Sequence, residues 1–67
     1  TVFTEQLHLK GAERVKRIEF YTVDGRLRLQ ADRPGGVIDT HSLPSGMYLI
    51  RIYTIDGQTD VVRGIRK

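Results

Sequence analysis

Apolar and polar residues alternate with a period of two through most of this 67-residue chain, and Gly- or Pro-containing turn signals interrupt the alternation about every 8–12 residues. That feature limits the fold more than any other. A helix repeats its apolar stripe about every 3.6 residues, whereas a strand alternates its faces at every residue. The chain is therefore expected to build strands and hairpins. In "TVFTEQLHL", Phe3, Leu7 and Leu9 share one side, with Glu5 as the exception, and Gly11-Ala12-Glu13 then breaks the run. "VKRIEFYTV" puts Ile18 and Phe20 on one face and Val15, Arg17, Glu19 and Tyr21 on the other. Asp24-Gly25 reads as a two-residue hairpin turn of type I′, since both residues tolerate positive φ. "RLRLQ" returns with Leu27 and Leu29 inward and Arg26 and Arg28 outward.

"ADRPGG" is the loop of the chain, and "GVIDT" is a short strand. Leu43-Pro44-Ser45-Gly46 suits a β-turn, with Pro at its second place and Gly at its fourth. "MYLIRIYTI" is apolar on both faces except at Arg51, which predicts a central strand covered on both sides. Asp56-Gly57 turns the chain again, and "QTDVVRGIRK" closes it with Val61 and Ile65 on one face. "EFYTVDGRL" and "RIYTIDGQT" echo each other at an offset of 32 residues, which predicts two hairpins of one kind. The reading is all-β: a single domain over residues 1–67, forming a small antiparallel β-sandwich of about six to seven short strands.

A chain of this length buries only about 60% of its extended surface, so the core must be thin. With no cysteine, neither a disulfide nor a zinc thiolate can reinforce it. The apolar fraction of 39% and charged fraction of 28% belong to an ordinary globular domain. The net charge of +3 is mild, but Arg63, Arg66 and Lys67 crowd the end. A basic terminus can steer towards an acidic partner or stand as a solvated end. No window approaches a membrane span, and the opening residues lack the apolar run of a signal peptide. Because the chain opens inside a strand-like segment, it is expected to be a domain of a longer protein with its targeting signal upstream.

Chemistry is scarce. His8 and His41 are the only histidines, and no set of converging ligands surrounds them, although Asp39 is close to His41 in sequence. Ser42 and Ser45 flank the Pro turn and suit local backbone bonding. Asp24 and Asp56 are explained as turn residues, without a calcium loop. Gly35-Gly36 leads into a strand, which does not make a phosphate cradle. No enzyme, metal or cofactor is expected. Tyr21, Tyr48 and Tyr53 could stack on bases beside Arg26, Arg28 and Arg51, but their apolar strand setting favours packing, so no nucleic-acid partner is expected.

Taken in order, "VKRIEFYTVDGRLRL" and "GVIDTHSLPSGMYLIRIYTIDGQTDVVRGIRK" resemble the C-terminal sorting domain (type A) of proteins exported by the type IX (Por) secretion system of Bacteroidetes. Asp24-Gly25-Arg26, Ile38-Asp39, Leu43-Pro44-Ser45-Gly46-Met47-Tyr48, Gly57 and the basic segment Val61 to Lys67 carry the resemblance, which spans about Val15 to Lys67. The Pro-Asn-Pro element that often opens the family has no counterpart, since the chain contains no Asn. The resemblance implies an immunoglobulin-like sandwich that serves as an export address. It also implies passage through the periplasm to the cell surface or outer membrane, or release into the medium. The partners it implies are the outer-membrane translocon and a sortase-like cysteine peptidase. Gly46, Tyr48, Gly57, Arg63, Arg66 and Lys67 are the expected recognition residues, and Asp24, Gly25, Pro44 and Asp56 the expected structural turns. Gly46 and Tyr48 equally suit a plain hairpin. If the last strand lies at an edge, its free backbone groups could take up a partner strand or a second copy of the domain. The rival function is a β-sandwich adhesion or carbohydrate-binding module, weakened by the absence of Trp.

Overall fold

The two strands with the most buried residues lie side by side, where each can bury a row of side chains against the same core. These are β3 (Val15–Thr22) and β6 (Gly46–Thr54), paired antiparallel in a computed structural model that describes the whole chain, Thr1–Lys67. β4 (Leu27–Asp32) flanks β3, and β7 (Thr59–Arg66) flanks β6. β1 (Val2–Phe3) adds to the far side of β7, giving the sheet order β1-β7-β6-β3-β4. β2 (Gln6–His8) and β5 (Val37–Asp39) form a second, two-stranded sheet. The only helical element is one 3-10 turn, Ala12–Arg14. The protein is a small all-β sandwich. Its one departure from the antiparallel expectation is the β1–β7 pair, which is parallel.

Between the sheets sit Phe3, Leu7, Ile18, Phe20, Ile38, Leu43, Tyr48 and Ile50, all buried in one cluster. The rings of Phe3 and Phe20 meet edge to face at 5.8 Å. Thr40 is the polar rivet of this core. Fully buried, it donates from its hydroxyl to the Thr4 carbonyl at 2.8 Å and from its amide to the Glu5 carbonyl, also at 2.8 Å. Those bonds tie the end of β5 to the segment between β1 and β2.

Two bulges change which side chains face inward. The β3–β6 register shifts between Val15 and Arg17, so Val15 pairs with Thr54 and is buried, contrary to the alternation that grouped it with Arg17. The β3–β4 register shifts between Phe20 and Tyr21, leaving Arg28 as the extra residue. Leu29 therefore pairs with Phe20 on the core face, while Leu27 pairs with Tyr21 on the outer face and is 48% exposed. Only one of the two expected inward leucines is inward.

The expected central strand is central, but it is covered on one face only. Tyr48 and Ile50 are buried, whereas Met47 and Arg51 on the other side face solvent. The two-stranded sheet covers the inner side of the large sheet, and nothing in the chain covers the outer side.

Candidate recognition surface

The two Asp-Gly segments build the same turn, and it is not the two-residue turn expected. Gly25 N–H donates to the Thr22 carbonyl at 2.9 Å, and Thr22 N–H to the Arg26 carbonyl at 2.8 Å. Gly57 to Thr54 (3.1 Å) and Thr54 to Gln58 (2.9 Å) repeat the arrangement. Each is a three-residue loop, a type I turn closed by a left-handed glycine, with φ of +90° at Gly25 and +89° at Gly57. Asp24 and Asp56 do not need positive φ. Their carboxylates instead accept the hydroxyls of Thr22 and Thr54. The Thr54 hydroxyl, first, and nearby backbone amides hold the Asp56 carboxyl below its ordinary pKa, helped by Arg14 at 3.5 Å.

The motif Leu43 to Tyr48 forms the corner that enters β6. Leu43 is buried, and Tyr48 is 3% exposed with its hydroxyl donating to the Pro44 carbonyl at 2.5 Å. That hydroxyl holds the corner shut, and the centroid of the ring lies 6.4 Å from that of Phe3. Gly46 has φ of +147°, and a Cβ there would meet nothing within 4 Å. Its requirement is conformational and does not come from crowding.

The three terminal cations do not form one patch. Arg63 pairs with Leu49 on the outer face, whereas Arg66 pairs with Gly46 on the inner side. Arg66 donates to the backbone carbonyls of His41, at 3.4 Å, and of Lys67. Its role is to tie down the end of β7. Nor is β7 a free edge along its length: Ile65 N–H donates to Thr1 O at 2.8 Å and Lys67 N–H to Phe3 O at 2.9 Å. Only the part of β7 before β1 keeps its outer backbone groups open, while β4 is the free edge on the other side.

The outer face of the large sheet carries an ordered polar cluster. Arg17 Nε donates to Asp32 Oδ1 at 2.8 Å, which raises the guanidinium pKa. Tyr21 donates to Glu19 Oε1 at 2.8 Å, and that bond pushes the phenol above its usual range. Arg51 donates to the Tyr53 hydroxyl at 3.2 Å and lies 5.5 Å from the Tyr21 ring centroid, a cation–π distance. This cluster escaped sequence reasoning, although Glu19 and Arg51 occupy equivalent places in the two echoed segments. Elsewhere, His41 Nδ1 lies 2.7 Å from Asp39 Oδ1 at an exposed turn, and the His41 amide holds the Asp39 carboxyl below its ordinary range. Comparison of the chain with models of protein families, with curated proteins and with solved structures finds no match. No helix is long and apolar enough to cross a membrane.

Proposed function

We propose that this domain is an export address of the type IX kind, carried by a secreted or surface protein and read by the outer-membrane translocon. The observation that carries the reading is the ordered series Asp24-Gly25-Arg26, Ile38-Asp39, Leu43 to Tyr48, Gly57 and Val61 to Lys67, with the spacing of sorting domains. What supports it physically is where these residues fall. Apart from Ile38-Asp39, they form turns, a corner and most of β7 in or around one five-stranded sheet, so they stand in fixed relation to one another. A folded address needs such a surface, because rigid backbone limits the entropy lost on recognition. A sortase-like cysteine peptidase would then act on the domain as its substrate. Pairing of two copies through the free edge of β4 belongs to the same reading.

The test is a fusion of all 67 residues to the C-terminus of a periplasmic reporter, in a host that has the secretion system. The reporter is expected at the cell surface or in the medium. A fusion that folds but stays in the periplasm overturns the reading and leaves the adhesion module in its place.

A further inference from the structure

Five of the nine exposed large apolar side chains, Val2, Leu27, Met47, Val61 and Ile65, belong to the outer face of the large sheet, by the register that pairs them with Ile65, Tyr21, Ile65, Arg51 and Met47. They are 44–59% exposed. Exposed apolar side chains gathered on one face and rimmed by polar ones are characteristic of an interaction site.

The charges on that face are uneven. Its carboxylates, Glu19 and Asp32, are already engaged by Arg17 and Tyr21. Arg51 and Arg63 have no carboxylate partner. Arg51 pairs across strands with Val61, and Leu49 with Arg63, so Arg51 and Arg63 take one diagonal of this four-residue block and the apolar pair the other. Diagonal neighbours on adjacent strands stand about 7–8 Å apart. Tyr53 and Tyr21 hold Arg51 in place, and aromatic and arginine side chains ordered in this way are the usual anchors of protein interfaces.

A second copy docked through this same face brings no free carboxylate to these arginines, because both acids on the face are taken. We infer that the outer face of the five-stranded sheet docks a protein surface on which apolar and carboxylate side chains alternate. The identity of that partner as a translocon component rests on the export reading; the chemistry of the face does not.

Two measurements separate them. The first follows backbone amide shifts of the labelled domain during titration with an acetylated, amidated peptide of alternating Glu and Val, against the same peptide with Lys for Glu. The acidic peptide is expected to shift Leu49–Tyr53 and Val61–Ile65, and the lysine peptide to leave them unmoved. The double variant R51E/R63E should lose the response at least tenfold while melting close to wild type. The variant K10E/R33E, with the same charge change at exposed positions away from this face, should keep it. Absence of shifts, shifts elsewhere, concentration-dependent self-association through the same residues, or equal loss in K10E/R33E overturns the inference. The second measurement repeats the export fusion with both double variants. If the wild-type fusion is exported and R51E/R63E is exported equally, the translocon does not dock on this face and the export reading stands, while the docking inference is decided by the peptide titration. If the wild-type fusion is retained while the peptide maps to this face, the export reading fails and the docking inference holds.

Discussion

At Gly46 the turn pattern in the sequence and the backbone of the structure call for glycine by different routes. The turn pattern marks it as the glycine that closes the turn after Pro44. The space around it is empty, and its φ of +147° is the constraint. A non-glycine residue in that region costs about 1–3 kcal/mol. Gly46→Ala and Gly46→Val are therefore both expected to lower stability by about that amount, equivalent to a melting shift of roughly 4–8 °C per kcal/mol in a domain of this size. Thermal melting followed by circular dichroism checks it. If alanine melts like wild type and only valine falls, crowding and not φ is the constraint. Gly64 is the opposite case, and no turn signal announces it. A Cβ there would lie 2.6 Å from Ile50 Cδ1 and 2.9 Å from Phe3 Cε1, contacts between segments far apart in the chain. Thr40 is illegible for the same reason, since its acceptor is the Thr4 carbonyl, 36 residues away.

At the scale of elements, periodicity located nearly every strand, because alternation is a property of neighbours along the chain. It could not locate the bulges. One extra residue at Arg28 reverses the inside and outside of everything beyond it, which is why Leu27 lies on the open face and Leu29 on the core. The echo of Thr-(Val/Ile)-Asp-Gly did predict twin hairpins, yet the threonine hydroxyls that complete the turns were overlooked. Those hydroxyls lead to a pH effect. Asp56 has its folded pKa lowered, chiefly by Thr54, so its contribution is present above the unfolded value and is lost as pH falls through the folded one. Asp56→Ala should accordingly melt below wild type at neutral pH, and the gap should close as the pH is taken below the ordinary carboxylate range. Melting curves recorded from pH 7 to pH 2 provide the check. A gap that stays constant would mean that the carboxylate charge contributes nothing to the turn.

Across the whole molecule, the pairings Ile18–Ile52, Glu19–Arg51 and Phe20–Ile50 map onto one another under the offset of 32 residues, so a pseudo-two-fold axis passes between the paired Glu19 and Arg51. This symmetry covers β3, β4, β6 and β7 but leaves an incomplete core. β1 completes it, though it contributes only two strand residues. Phe3 is 4% exposed, sits against Phe20 and Tyr48, and fills the space that Gly64 leaves open. Truncating a buried phenylalanine costs about 3–5 kcal/mol. Small domains have only about 5–15 kcal/mol in total, and one this size lies near the lower end. Phe3→Ala is thus expected to unfold at a much lower urea midpoint while keeping the β1 backbone in place. Deleting Thr1 to Phe3 removes the ring and also the bonds to Arg63, Ile65 and Lys67. Beyond the same loss of stability, the deletion should show concentration-dependent association in sedimentation velocity, since the far edge of β7 then stands unpaired along its whole length. Phe3→Ala should associate no more than wild type at the same concentration. Were the deleted protein as stable as wild type, β1 would be an accessory to the sheet and the core would close without it.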